Sequence, residues 1–287
     1  MIKNIFLLTV LFFGLQFNGI AQDGKLNKAK ESLKTSNSLS TTRTSNTRSS
    51  DSRNSRRSSR ARRNRNNDFI FTEFFFRLFA YTTYGVLVET PMEYDGRMHV
   101  ADISVFPYQD AEHGNFIYTD SLDTNYRVAR LDVYNHFLLE NKNLYGNDFG
   151  LEFRFLKRFS LEGNYLQFIE KVNGQTDYFT LYALMAKYHR IRTERFEAWY
   201  GIGATYIAND VMETGVTLGL GAELYFKKPI SVAVSYKAAF IYNNRVNNTK
   251  VLLKYHIKNF RMSSGYQYFT LGDARIKTFS VGLEASF

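Results

Sequence analysis

The five histidines are the residues on which acid–base or nucleophilic chemistry would depend in this chain. They are His99, His113, His136, His189 and His256. Nucleophilic hydrolysis needs a serine within reach of a histidine that a third group orients. No histidine has a serine two residues further on, the spacing that places two side chains on one face of a strand. The local sequence therefore predicts no catalytic residue and leaves open a triad assembled across strands.

Two acidic segments offer oxygen ligands without the spacing of an ion site. They are DAEH at 110–113 and DSLD at 120–123. Neither matches a calcium loop or a zinc motif, and no glycine-rich phosphate loop leads from a strand into a helix. We therefore predict neither a metal nor a cofactor.

The elements that must position any site are strands with a period of two. In GVTLGLGAELYF, residues 215–226, apolar side chains take the even positions and mostly small or polar ones take the odd positions. Such alternation is typical of a strand with one apolar face. Ten segments follow it, at 127–140, 147–156, 159–170, 178–191, 196–208, 215–226, 230–242, 249–258, 260–269 and 275–287.

The connections between these segments also alternate. KR, RTER, KKP and KN are tight and basic, whereas NKNLYG, VNGQTD, NDVMETG, NNRVNN and TLGDA are longer and rich in turn formers. Short turns at one end and longer loops at the other characterise up-and-down transmembrane barrels, whose short turns face the periplasm.

Strand length and aromatic residues favour a membrane over water. The segments run about 10–13 residues, close to the roughly 9–11 that a tilted membrane strand needs and longer than the usual 5–6 of soluble sheets. Aromatic residues lie at segment ends on the apolar face, as two interfacial girdles require. They are Phe149, Phe159, Tyr178, Tyr188, Phe196, Tyr206, Phe226, Tyr242, Phe260 and Phe287. The fold class predicted is all-β, an antiparallel up-and-down transmembrane β-barrel rather than a soluble sandwich or lipocalin-like barrel.

Residues 1–21 have the order of a secretory signal peptide. Lys3 precedes the apolar run IFLLTVLFFGLQF, and Gly19 and Ala21 have the small-x-small spacing of a cleavage site. The chain has no cysteine, which excludes disulfides and attachment as a cysteine-linked lipoprotein.

The last strand carries a recognisable ending. In FSVGLEASF every odd position is apolar, namely Phe279, Val281, Leu283, Ala285 and Phe287. This ending resembles the carboxy-terminal signature of Gram-negative outer-membrane β-barrel proteins. The resemblance implies a location in the cell outer membrane, contact with its lipids, and recognition of these five residues by the barrel-assembly machinery. It identifies no particular activity.

Residues 22–68 form a separate, basic segment rich in serine and arginine. Within 23–68 thirteen Lys and Arg stand against four Asp and Glu, a net charge of +9 out of the +10 of the whole chain. So few apolar side chains cannot offset the entropy of ordering, which predicts a disordered periplasmic tail. It serves as a tether or as an electrostatic clamp on anionic lipid or polymer, and the export signal argues against nucleic acid.

Residues 69–126 leave the number of strands open within a barrel domain of residues 69–287. FIFTEFFFRLFAYTTYGVLVET is apolar and VADISVF alternates, so together they could add one hairpin to the wall. We favour the resulting twelve strands, with ten as the alternative, in which FFFRLF lies as an interfacial helix.

Alternation places charge inside the barrel. Inward positions carry six basic and six acidic residues, and His136 and His256 share that face. The twelve are Arg130, Arg154, Lys187, Lys237, Lys254, Arg261, Asp132, Glu152, Glu162, Glu197, Glu223 and Glu284. Near-neutrality favours a paired ionic core over an ion-selective pore, since open aqueous channels belong to barrels of roughly 16–18 strands.

One sector of the predicted lumen is lined by small residues on three neighbouring strands. They are Gly201, Gly203, Gly219, Gly221, Ser231, Ala233, Ser235 and Ala239. This wall borders a lumen cavity for a narrow solute or an acyl chain, or else it receives bulky side chains from elsewhere in the barrel.

These patterns favour a non-enzymatic protein. We predict a monomeric barrel with a structural or interaction role in the envelope, or a narrow passage for small solutes. The alternative is a barrel enzyme that modifies lipids.

Overall fold

Ten strands form the wall of a barrel in the computed structural model, which describes residues 24–39, 101–109, 114–118, 129–156, 158–241 and 244–287. Two shorter strands and one helix accompany them in these ranges. The wall strands are β3 (Ala129–Leu139), β4 (Leu144–Phe155), β5 (Phe159–Val172), β6 (Gln175–Arg192), β7 (Phe196–Ile207), β8 (Glu213–Lys227), β9 (Ile230–Ile241), β10 (Asn244–Ile257), β11 (Phe260–Leu271) and β12 (Ala274–Ser286).

The barrel closes because its first and last strands pair. Each wall strand is antiparallel to the next, and β12 returns to β3 with Phe279 opposite Leu139 and Ser286 opposite Asp132. Hydrocarbon offers no partner to a backbone N–H or C=O, and closure leaves no unpaired edge. The predicted fold class is confirmed with ten strands, and the preferred number of twelve is wrong.

The outer face of the wall is apolar. Large exposed side chains include Leu151, Leu184, Ile202, Leu220 and Leu283. A continuous apolar belt is unfavourable in water and favourable against the hydrocarbon of a bilayer. The apolar face therefore lies outside, which makes this a membrane-spanning barrel and excludes a soluble one.

The last strand and the predicted aromatic positions share this outer face. Phe279, Val281, Leu283, Ala285 and Phe287 alternate with buried inward residues. Phe287 is bonded to β3, because its N–H donates to the carbonyl of Leu131 at 2.8 Å and its carbonyl accepts from the N–H of Leu131 at 3.0 Å. The exposed aromatic residues of the predicted girdles are Phe149, Phe159, Tyr178, Tyr206, Phe226, Phe260 and Phe287. Tyr242 lies outside the described residues.

The connections at the two ends differ less in length than the sequence pattern predicts. Strands extend into the predicted loops, so that 173–174 and 272–273 are two-residue turns, beside longer connections at 140–143 and 208–212. The opposite end has connections at 156–158, 193–195, 228–229 and 258–259. The predicted contrast between short turns at one end and longer loops at the other is wrong, because polar, turn-forming residues continue the strands where they pair with a neighbouring strand.

One end of the barrel, which we call the hairpin end, holds a small hairpin of β1 (Ala101–Ile103) and β2 (Phe116–Tyr118). The Tyr108 hydroxyl donates to the carbonyl of Ile230 at 2.7 Å, and Lys228 Nζ donates to the carbonyl of Tyr108 at 2.9 Å. These strands pair with each other and not with the wall. The extra wall hairpin predicted from 69–126 is therefore wrong for this segment, and FFFRLF lies outside the described residues.

The opposite end, which we call the helix end, is covered by α1 (Lys25–Leu39). Leu26, Ala29 and Leu33 face the barrel and are buried in a core formed with inward wall residues. Disorder is therefore the wrong prediction for Lys25–Leu39, because three apolar side chains at helical spacing find an apolar mouth to fill. Residues 1–21 and 40–68 lie outside the described residues. No helix in the described ranges is long and apolar enough to cross a membrane.

Every pair of strands that meets at the helix end contributes a polar contact to α1. The Glu170 carboxylate accepts the N–H groups of Gly24, Lys25 and Leu26 at 2.8–3.2 Å, which satisfies the free donors of the first turn. Lys25 Nζ pairs with Glu140 at 2.7 Å. The other contacts join Lys30 to Asp177 and Asp210, Asn244 to the carbonyl of Ser32, and the N–H of Asp273 to the Ser32 hydroxyl.

Ionisation at this end stabilises the docked helix. Burial lowers the pKa of Lys30, but hydrogen bonds to Asp177 and Asp210 outweigh it and raise that pKa above its ordinary value. The hydrogen bond from Lys30, with the nearby charges of Lys30 and Lys34, lowers the pKa of Asp210. Docking is therefore favoured above the ordinary pKa of Asp210, about 4, and below that of Lys30, about 10.4.

We predict that α1 loosens in acid. The depressed pKa of Asp210 means that its contribution is lost as pH falls through that pKa, below about pH 4. The chain has no cysteine, so a nitroxide on Lys28→Cys reports α1 alone, and its mobility should be constant from neutral pH to about pH 5 and rise below about pH 4. In an Asp210→Asn background the acid-dependent rise should be smaller. Equal mobility at pH 7 and pH 3 would contradict this account.

Candidate functional site: the barrel lumen

All twelve charged residues predicted to face inward lie in one ion-pair network in the lumen. Arg130, Asp132, Lys187, Glu197 and Arg261 are each no more than 6% exposed. The prediction of these twelve positions succeeded because successive side chains of a strand point to opposite faces. When the apolar residues face outward, the residues between them face the lumen. His136 and His256 are also buried on the inner face, as predicted.

The network has two connected branches. In the first, Asp132 lies 2.9 Å from Arg130 Nε and 3.1 Å from Arg261 Nη2, and Arg261 Nε lies 3.0 Å from Glu284. Lys254 continues this branch, 3.2 Å from both Glu284 and Glu223. Alternating signs along the path leave each described charge beside an opposite one, which buried charges require.

The second branch crosses from β4 to β9. Lys187 Nζ lies 2.8 Å from Glu152 and 2.7 Å from Glu162, and Lys237 Nζ lies 2.7 Å from Glu162. Arg154 joins the two branches, 3.3 Å from Asp132 and 3.4 Å from Glu152, and it also lies 2.5 Å from Glu197. Side chains from opposite parts of the wall are therefore bonded to each other across the lumen.

Asp148 and Lys250 form a further pair that the sequence analysis did not include. Their charged atoms are 2.5 Å apart, and both residues are buried. The predicted strands began at 147 and 249, so these positions looked terminal. Their parity matches that of Glu152 and Lys254 on the same strands and would have identified them as inward.

The half of the lumen next to α1 is apolar rather than charged. Inward residues such as Leu138, Phe168, Phe179, Ile207 and Phe269 form one core with the helix. Phe168 and Phe269 meet edge to face with ring centres 5.0 Å apart. The prediction that charge fills the lumen is therefore correct only for the half nearer the hairpin end.

The four glycines of the wall of small residues have no open space beside them. A side chain on Gly201 or Gly219 would meet Met185, one on Gly221 would meet Trp199 at 2.6 Å, and one on Gly203 would meet the carbonyl of Leu184. Beside Gly201, Gly219 and Gly221 the side chains of Met185 and Trp199 occupy the space, which is the second of the two alternatives that the sequence left open. A cation–π contact also holds Trp199 in position, since Lys187 Nζ lies 4.2 Å from the centre of its ring.

The remaining residues of that wall divide between two environments. Ser231 is fully buried and bonded to Glu223 at 2.6 Å, and Ala239 packs in the apolar core. Ala233 and Ser235 line a central cavity of about 120 Å³ among the charged residues. A polar space of this size holds a few water molecules.

Three serine–histidine pairs join different strands, which are neighbours in the first two pairs and are separated by β12 in the third. The distances from Oγ to Nε2 are 2.9 Å for Ser160 and His189, 2.7 Å for Ser231 and His256, and 2.9 Å for Ser263 and His136. The first pair extends to an acid, because His189 Nδ1 lies 2.6 Å from Glu197 Oε1. The sequence analysis left such cross-strand arrangements open, and the inward position of His189 could have been inferred from the parity of Lys187.

These pairs have the spacing of catalytic groups but not the access. Ser160, Ser231 and Ser263 are each no more than 2% exposed. The hydroxyl of Ser160 also donates to Glu152 at 2.8 Å, and that of Ser231 donates to Glu223. A substrate carbonyl must come within about 3 Å of the nucleophile, and the ion pairs of the lumen occupy that space. The serine–histidine pairs therefore act as links in the network.

Within the described ranges no group of three or more acidic or histidine residues is arranged to hold a metal.

Removal of Lys187 should destabilise the barrel strongly. Lys187→Met leaves Glu152 and Glu162 buried and facing each other, and breaking a buried pair in this way costs about 3–5 kcal/mol of the free energy of unfolding. Urea unfolding from lipid vesicles measures that energy. Lys171→Met, at an exposed position near the end of β5, is the matched control and should change it by less than about 0.5 kcal/mol. Equal effects of the two changes would show that the network adds nothing to stability.

A second prediction concerns the covered glycines. Gly221→Ala places a methyl group against the Trp199 ring, and overpacking of this kind costs about 1–3 kcal/mol. Because Trp199 is the one tryptophan of the chain, its emission spectrum should shift as well. Gly163→Ala is the control, since a Cβ there meets no atom within 4 Å. An unchanged spectrum and unchanged stability for Gly221→Ala would mean that the ring does not lie over β8.

Several solved structures that are similar to this chain are outer-membrane proteins, all at low sequence identity. They include an outer-membrane channel from Pseudomonas putida F1 (11% identity, TM-score 0.36, covering 55% of this chain and 93% of that one). Another is Ail of Yersinia pestis in a phospholipid nanodisc (14% identity, TM-score 0.32, covering 55% and 98%). A third is the KdgM porin with oligogalacturonate (12% identity, TM-score 0.35, covering 55% and 99%). With identities below 25% and TM-scores below 0.5, these likenesses carry no argument about this chain. No protein-family model and no curated protein matches it.

Proposed function

We propose that this protein is an outer-membrane β-barrel with a closed lumen, which has a structural or interaction role in the envelope. One observation carries the proposal: the lumen is occupied in successive layers by α1, the apolar core, the ion-pair network and the β1–β2 hairpin, whose buried Asn115 bonds to Arg130 and Glu197 of the network. A solute would have to displace all four. A narrow passage is therefore the weaker form of the proposal, and a lipid-modifying activity has no accessible nucleophile among the three serines to support it.

The surroundings of the barrel follow from its outer face. Outer-membrane lipids contact the apolar belt, and the alternating outer residues of β12 that end at Phe287 are the segment by which the barrel-assembly machinery would recognise the chain. We propose a monomer, since closure pairs the backbone groups of every wall strand within one chain.

The hairpin end, which holds the carboxy-terminal residue, would face the periplasm. The helix α1 would then lie at the outer mouth rather than in the periplasm, where the sequence analysis placed the tail.

Conductance across a planar bilayer tests the proposal. The full chain should insert and give no conductance steps at either polarity, because four layers block the lumen. Leu26→Glu/Leu33→Glu places two charges in the apolar core and undocks α1, and the apolar core, the ion-pair network and the hairpin that remain should still keep the conductance close to zero. Asn27→Glu/Lys34→Glu alters exposed positions of the same helix and is the matched control that should stay silent. Steady open-channel events from the unaltered chain would overturn the closed lumen and establish the passage.

A further inference from the structure

The connections at the hairpin end carry a ring of cations. Arg158, Arg195, Lys228 and Lys258 lie on the four connections, and Lys227 ends β8 beside them. Among the described residues of these four connections, Glu194 is the one with an acidic side chain. We call the five basic residues the basic rim.

The connections of the helix end carry more acidic than basic residues. The described connections there carry Glu140, Asp210 and Asp273 against Lys142. The connections alone therefore differ in charge between the two ends, whereas α1 adds Lys25, Lys28, Lys30 and Lys34 to the helix end.

The basic rim lies next to the aromatic residues of the membrane interface. Arg158 precedes Phe159, Arg195 precedes Phe196, Lys227 follows Phe226, and Lys258 lies two residues before Phe260. Aromatic rings settle at the level of the headgroups, and a cation one or two residues further out reaches the phosphates. The same pairing of ring and cation occurs at all four connections.

Three members of the rim are available to a ligand. Arg195, Lys227 and Lys258 are exposed and make no ion pair with a described residue. Lys228 donates to the carbonyl of Tyr108, and Arg158 donates to the Tyr188 hydroxyl at 3.0 Å, so those two also serve the fold.

We propose that the basic rim binds anionic phospholipid headgroups in the leaflet that the hairpin end faces. The inference rests on the membrane position in the proposed function and adds a lipid class to it. One cation near an anionic headgroup contributes about 1 kcal/mol, which corresponds to about a fivefold preference over a zwitterionic lipid. Screening should weaken that preference as salt rises, because the Debye length falls from about 10 Å at 0.1 M to about 3 Å at 1 M.

Spin-labelled lipids in vesicles that contain the full-length protein test the rim. The fraction of motionally restricted lipid gives the relative association of phosphatidylglycerol and phosphatidylcholine with the barrel. The unaltered chain should favour phosphatidylglycerol by about fivefold. Arg195→Gln/Lys227→Gln/Lys258→Gln should bring the ratio close to one. Lys142→Gln/Lys171→Gln/Lys277→Gln, three exposed cations at the helix end, is the matched control and should keep the preference.

Several results would overturn the proposal. Equal association of the two lipids with the unaltered chain would do so, as would an equal loss of preference in both triple variants. Binding of polyglutamate by detergent-solubilised protein, lost in the rim variant while lipid preference stays unchanged, would assign the rim to an anionic polymer instead. Heat-dependent migration on gels checks that each variant is folded, and the salt dependence of the unaltered chain needs no variant at all. Failure here leaves the conductance result intact, so the closed lumen and the rim fail separately.

Discussion

Pairing of β12 with β3 is the interaction on which the rest of the structure depends. Inside hydrocarbon an open edge would leave a row of N–H and C=O groups without partners, each at a cost of several kcal/mol. Closure removes that edge and fixes the period of two around the whole wall. Since the outer face must then be apolar, every charged side chain of the membrane-spanning part is directed into the lumen.

The lumen must consequently be filled by groups that satisfy one another. Near the hairpin end this is done with charges of alternating sign, such as Lys187 between Glu152 and Glu162. Near the helix end it is done with apolar side chains and with α1, whose Leu26 and Leu33 are buried there. A charge pointing into the apolar half would be unpaired and costly. This explains why the polar bonds of α1 all lie at the outer edge of the helix end.

The sequence predicts the wall and its two faces well, because a period of two is a local signal repeated ten times. Each of the twelve charges was placed by parity alone, without knowledge of its partner. The partners themselves are not local: Arg261 and Asp132 are far apart in the chain and meet only because the barrel closes. The same holds for Ser160 and His189, whose pairing depends on the register of β5 against β6.

The period of two could not predict the docked helix α1 or the packing over the glycines of β7 and β8, for a different reason. The segment that forms α1 is polar in composition, and a helix of its length is marginal in water. It is stable because Glu170 satisfies its first turn and an apolar mouth receives three of its side chains. Composition alone favours disorder there. In the same way, the glycines of β7 and β8 left two alternatives open, because a glycine in a sequence does not show whether Trp199 or a ligand lies over it. Both limits of the prediction have one physical cause, which is that the interior of a closed barrel is filled by tertiary contacts that local patterns do not encode.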